Sequence, residues 1–114
     1  MIEIELYQES QLFEKGLEYF SEDILATNVW IKKYALKSKK DGYFEELSPD
    51  DTLQRVLKEI ERIEKKYPNA KTKDEIYDAI KDFKKFIFGG SILFGLGNYN
   101  AVSSLGNCFL LIMV

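Results

Sequence analysis

Residues 86–114, FIFGGSILFGLGNYNAVSSLGNCFLLIMV, decide how this chain is read. The stretch has no Asp, Glu, Lys or Arg, whereas the 16 basic and 19 acidic residues all lie before it. It holds the single cysteine, Cys108, and most of the glycines, and it closes on the apolar run Cys108-Phe-Leu-Leu-Ile-Met-Val114. Such a run predicts a strand buried on both faces, as in the middle of a parallel or mixed sheet. A central strand needs a hydrogen-bonding neighbour on each side, because unpaired buried N–H and C=O groups are costly. Nothing upstream reads as two such neighbours. The chain is therefore expected to be the opening part of a larger α/β domain, or one piece of a split one.

The remaining bulk properties exclude several classes. A length of 114 residues, 46% of them apolar and 14% aromatic, fits one domain with a core. A net charge of −3 and a pI near 5.1 argue against nucleic acid as a partner, since a polyanion calls for a basic stripe. The lysine pairs Lys32-Lys33, Lys39-Lys40 and Lys84-Lys85 are interleaved with acids and read as solvated faces. One cysteine rules out an internal disulfide, and the lack of histidine removes most zinc patterns. The start, Met-Ile-Glu-Ile-Glu-Leu, alternates apolar and acidic residues, unlike a signal peptide. Breaks at Gly97-Asn-Tyr-Asn100, Ser103-Ser104 and Gly106-Asn107 leave the tail short of the ~20 apolar residues that span a bilayer. A cytoplasmic protein with no membrane partner is expected.

Upstream of the tail the pattern is mainly helical, with helices expected at about 9–20, 22–35, 49–66 and 73–86. A short strand is expected at residues 2–7. Leu12, Phe13, Leu17 and Phe20 recur at helical spacing, weakened by Gly16. Ser21 reads as the next N-cap, with Glu22 and Asp23 in the favoured first turn. That helix is expected to bury Ile24, Leu25, Val29 and either Trp30 or Tyr34. Asp41-Gly42 suggests a hairpin turn between Tyr34-Ala-Leu36 and Tyr43-Phe44. Ser48-Pro-Asp-Asp51 is a capping-box-like start with proline at the first helical position. Its helix puts Leu53, Val56, Leu57, Ile60 and Ile63 on one face, with Asp51/Arg55 and Glu61/Lys65 as exposed i,i+4 pairs. Thr72-Lys-Asp-Glu75 opens the last helix, and Gly89-Gly90 ends it. The chain thus divides into a helical region at 1–88 and extended, glycine-broken segments with one buried strand at 89–114.

The chemistry available to the tail is narrow. Neither GxGxxG nor GxxxxGK[ST] is present, so its glycines form no known nucleotide loop. Clustered glycines around Ser91 still allow close backbone approach, offering N–H groups and a hydroxyl to a phosphate or sugar, or simply a tight packed bend. Cys108 reads either as a small core hydrophobe or as a redox thiol, and the chain supplies neither a second cysteine nor a histidine to activate it. No carboxylate pair can be placed in a cleft, so no acid/base dyad is assigned.

The order of these motifs resembles the ribonucleotide reductase large, catalytic subunit. That family commonly shows a G-S-P-M-x-G-x-G-N segment and then, after a short gap, S-L-S-N-C-F leading into an apolar strand. Here the corresponding residues are Gly90-Ser-Ile-Leu-Phe-Gly-Leu-Gly-Asn98 and Ser104-Leu-Gly-Asn-Cys-Phe-Leu-Leu111. Asn28-Val-Trp-Ile-Lys-Lys-Tyr-Ala-Leu36, Asp41-Gly42, Ser48-Pro-Asp-Asp51 and Arg62-Ile-Glu-Lys-Lys-Tyr-Pro68 are similar to its helical N-terminal region.

The resemblance implies the N-terminal part of a ten-stranded α/β barrel, with residues 89–114 as its incomplete start. It implies that Cys108 is one of two redox-active thiols, that Ser91 lies near the bound nucleotide, and that Asn107 touches the substrate. It implies ribonucleotides as substrate and the remainder of the catalytic subunit as partner. No cofactor is expected in this segment; the complete enzyme would need a radical generator, either a metal-bearing second subunit or adenosylcobalamin. Alone, the chain is expected to be inactive. The alternative is a non-catalytic interaction module or decayed fragment that docks by its apolar C-terminal strand.

Overall fold

The computed structural model describes residues 5–85 and 87–101. Among them run five α-helices: α1 (Glu9–Tyr19), α2 (Ile24–Val29), α3 (Pro49–Glu64), α4 (Lys73–Ile80) and α5 (Gly90–Gly95). A π-helical turn, Trp30–Tyr34, prolongs α2, and a 3-10 turn, Lys81–Phe83, comes directly after α4. No strand occurs among the described residues, only isolated antiparallel bridges of Phe44 with Tyr7 and with Lys37.

The best-defined start is that of α3. Ser48 Oγ accepts from the Asp51 N–H at 3.3 Å, while Asp51 Oδ2 accepts from the backbone N–H groups of Ser48 (3.2 Å) and Leu47 (3.0 Å). Donors that a helix start leaves orphaned are thus satisfied on both sides of the cap. Thr72 caps α4 through its side chain, whose Oγ1 accepts from Glu75 N at 3.2 Å, without the reciprocal half of a capping box. A hydrogen bond from the Tyr77 hydroxyl to Asp50 Oδ1, 2.8 Å, ties α4 to the first turn of α3. That contact with the Asp50 carboxylate pushes the Tyr77 pKa up to about 12, with burial adding to it.

Two apolar clusters share Tyr34. Leu12, Trp30, Ile31, Ala35 and Phe44 form one, between α1, the π-turn and the Asp41-Gly42 hairpin. Leu53, Leu57, Ile80 and Leu93 form the other, between α3, α4 and α5. Gly42 turns the hairpin at φ +84°, a conformation that glycine reaches without strain.

The region after Gly89 departs from the expected start of a ten-stranded α/β barrel: the chain coils into α5 rather than running extended. Gly89 caps this helix through its carbonyl, which accepts from Ile92 N and Leu93 N at 3.1 Å each. A helix closes its backbone hydrogen bonds on itself, so α5 needs no flanking strands, and its Leu93 packs into the cluster with Leu53, Leu57 and Ile80. The buried strand expected at 108–114 lies outside the described residues.

Ser21 is not a cap. It and Glu22 turn the chain at φ +55° and +69°, and Asp23 caps α2 instead, its Oδ1 accepting from Ala26 N at 2.9 Å. Ile24 and Leu25 are exposed, 59% and 75%, because the inward face of this helix is Thr27, Trp30 and Ile31. The π-turn, closed by Ala35 N to Trp30 O at 2.9 Å, adds a residue to the turn and brings Ala35 onto that same face. The last helix breaks at Lys81, and Asp82 and Phe83 take φ +57° and +55°. This reversal sets the Phe83 ring against Tyr19 and Phe20, with centroids 6.3 and 6.2 Å apart.

Gly16 has a reason the propensity argument does not supply. A Cβ there would lie 2.6 Å from Thr27 Cγ2 and 3.3 Å from the Trp30 ring. Thr27 is fully buried and its hydroxyl donates to Asp23 O at 2.8 Å, so it has nowhere to swing. Gly16→Ala is expected to cost ~1–3 kcal/mol by overpacking. Adding Thr27→Ser, which deletes the clashing methyl and keeps the hydroxyl, should recover most of the loss in urea unfolding. A Gly16→Ala chain as stable as the parent would refute this packing of α1 on α2.

Candidate functional site

Beside the apolar clusters, the interior holds a small polar network. The return arm of the hairpin carries Glu46 inward to 4% exposure, where it meets Thr52 and Arg55 on α3 and Trp30 at the head of the π-turn. Trp30 Nε1 donates to Thr52 Oγ1 at 2.8 Å, and Thr52 Oγ1 donates to Glu46 Oε1 at 2.7 Å. The same oxygen accepts from Leu36 N at 2.8 Å and from Arg55 Nη1 at 3.4 Å. Glu46 Oε2 stands 3.3 Å from Arg55 Nη1 as an ionic contact, without the alignment of a hydrogen bond.

Burial sets the electrostatics of this pair. It pushes the Glu46 carboxyl above its ordinary value, against the opposing pull of Arg55, Thr52 and Leu36. Burial likewise draws the Arg55 guanidinium down, against the pull of Glu46. Both shifts mean that desolvation outweighs the attraction within the pair, as is common for buried ion pairs. Oε1 is filled by three donors, so Glu46 ties the hairpin, the π-turn and α3 together.

The second arm of Arg55 reaches the glycine-bounded segment, where Nη2 donates to Leu93 O in α5. Gly97, at φ +76°, lies so close that a Cβ would be 3.0 Å from Arg55 Cγ and 3.1 Å from Arg55 O. At the other end of the segment, a Cβ on Gly90 would be 3.2 Å from the Tyr34 hydroxyl. Beyond Gly97, the Tyr99 hydroxyl donates to Glu59 Oε2 at 2.9 Å. Asn100 Nδ2 donates to Lys37 O at 3.0 Å and also to Glu45 Oε2. A groove of about 820 Å³ runs beside this seam, with Arg55, Lys58, Glu59, Arg62 and Tyr99 among its walls. A separate apolar pocket of about 380 Å³ is lined by Trp30, Leu93, Leu25, Phe83 and Ile87 among others.

Of the residues singled out in the sequence, Ser91 sits half-buried in the first turn of α5. Asn107 and Cys108 lie outside the described residues. Arg55 is not the exposed partner of Asp51: Asp51 is occupied by the cap, and the Arg55 side chain is only 8% exposed. Glu61 and Lys65 do pair, at 3.7 Å. Glu46, Thr52 and Trp30 do not stand out as a group in the sequence. Their signal is faint: Thr52 and Arg55 flank the apolar stripe of α3, and nothing local marks Glu46. Among the described residues, no group of His, Cys, Asp and Glu is placed to hold a metal ion. None of their helices is long and apolar enough to cross a membrane.

No family model, curated protein or solved structure matches this chain.

Proposed function

We propose that this chain supplies the N-terminal part of a ribonucleotide reductase catalytic subunit and is inactive by itself. One observation carries the reading beyond the order of the motifs. The two stretches that resemble the family, the helical region and the glycine-bounded segment, pack into one unit, and Arg55 of the first is bonded to Leu93 of the second. Gly90 and Gly97 stand where a side chain would crowd Tyr34 or Arg55, so the spacing of the glycines has a structural use.

In this reading Cys108 and a second cysteine from the remainder of the subunit reduce the ribose. The 2′-hydroxyl leaves as water, the two thiols give up two electrons and two protons, and a disulfide forms between them. Ser91 and Asn107 contact the ribonucleotide. The radical generator, a metal-bearing second subunit or adenosylcobalamin, belongs to the rest of a cytoplasmic assembly.

Mixing the chain with a polypeptide carrying the remaining catalytic subunit is expected to yield deoxyribonucleotide from ribonucleotide and dithiothreitol. Cys108→Ser should reduce turnover to background. Turnover indifferent to Cys108 would overturn the reading. Tight association without turnover is instead the behaviour of a non-catalytic docking module.

A further inference from the structure

We infer that Arg55, clamped by Glu46, is the positioning residue that fixes residues 89–98 and, through them, the place of Ser91 against the substrate. The substrate half of this inference rests on the reductase reading; the anchoring half does not.

The fork of Arg55 joins the hairpin, α3 and α5. One arm meets the Glu46 carboxylate and the other meets Leu93 O. Leu93 is two residues from Ser91, within the same short helix. Six residues cannot hold a helix by propensity, so α5 depends on what it packs against. Leu93 supplies the apolar contact, 5% exposed, but an apolar side chain alone leaves a short helix free to rotate about its axis. The bond from Arg55 to Leu93 O fixes that rotation, and Gly97 lying on the Arg55 backbone fixes where the helix must end. Glu46 makes this possible by holding the guanidinium in one orientation, with Thr52 and Trp30 holding Glu46 in turn. A planar, bidentate donor suits this task and lysine does not, because a single ammonium cannot serve both acceptors in fixed geometry.

Removing Arg55 alone would strand the Glu46 carboxylate, so the test uses Glu46→Leu with Arg55→Met, which replaces the pair by apolar groups of similar size. In the full chain carrying both changes, with circular dichroism confirming the helices, amide exchange at Leu93, Leu96 and Asn98 should rise about tenfold or more. Exchange at Leu57 and Ile60 of α3 should stay nearly the same. Unchanged exchange at Leu93, Leu96 and Asn98 would overturn the anchor outright.

In the reconstituted reductase, the double variant should raise KM for the ribonucleotide about tenfold with kcat within about twofold, since misplacement of a binding group weakens substrate capture more than chemistry. Arg55→Lys should fall between the two. Faster exchange with an unaltered KM would overturn the substrate half while leaving Cys108-dependent turnover intact. If the unsubstituted pair shows no turnover, the substrate half falls together with the reductase reading, and the exchange data alone decide the anchor.

Discussion

Glu46→Ala is expected to lower the unfolding free energy by about 3–5 kcal/mol at neutral pH, because it leaves the Arg55 guanidinium buried and unpaired. The carboxylate is 4% exposed and is the acceptor for Thr52, Leu36 and Arg55 at once. Its removal strands three donors, one of them charged. Replacing both partners, as Glu46→Leu with Arg55→Met, should cost far less than the single change, since no charge is then left in the interior. Urea unfolding of the parent, the single and the double variant measures this directly. A single variant that loses less than about 1 kcal/mol would be behaving as an exposed ion pair does, and the buried arrangement would be wrong.

The same carboxyl gives the chain a pH signature. Burial raises the Glu46 pKa above its ordinary 4.5, so the folded chain keeps this proton to higher pH than the unfolded chain does. Between the two values the unfolded state has released the proton and the folded state still holds it. Glu46 therefore makes stability fall as pH rises through the window that opens at about 4.5 and closes at the raised value. Glu46→Gln should remove that slope at whatever cost it imposes on the absolute stability. A parent and a Glu46→Gln variant with parallel stability profiles across this window would contradict the assignment.

What can be read from the sequence is what local physics determines. Ser48 and Thr72 are legible as caps because the side chain and the N–H it accepts from lie within four residues. The stripe of Leu53, Val56 and Leu57 comes from helical spacing. Arg55 is misjudged for the same reason: the i,i+4 rule with Asp51 describes side chains on a helix surface, whereas the partner of Arg55, Glu46, arrives from a different element. Ile24 and Leu25 are misplaced because periodicity marks an apolar stripe but not where the neighbouring helix ends. Past Gly89, the demand for flanking strands applies to an extended chain. Ser91-Ile-Leu-Phe94 contains no glycine and coils between its glycine boundaries, whereas the run for which flanking strands are expected, 108–114, lies outside the described residues. The segment around Ser91 is thus helical where an extended one is expected, and Asn107 and Cys108 lie past the described residues.

Trp30 is the residue on which both halves of the fold converge, and its substitutions should separate packing from hydrogen bonding. The ring is 3% exposed, lies in the cluster with Leu12, Ile31 and Phe44, and faces Gly16 of α1. Its Nε1 donates to Thr52 on α3, one bond away from Glu46. Trp30→Ala removes the ring and leaves a cavity between helices that cannot fully collapse, a loss of about 3–5 kcal/mol. Trp30→Phe keeps much of the ring volume and deletes only the donor. Thr52 then keeps its own bond to Glu46, so the expected cost is about 1–2 kcal/mol for one acceptor lone pair left empty. Trp30 is the sole tryptophan, so its fluorescence would vanish with it, and unfolding is to be tracked by far-ultraviolet circular dichroism. If Phe proves as damaging as Ala, the hydrogen bond to Thr52 outweighs the packing. If Ala costs under about 1 kcal/mol, the interior seam from Gly16 through Trp30 to Glu46 cannot be what joins α1 to α3.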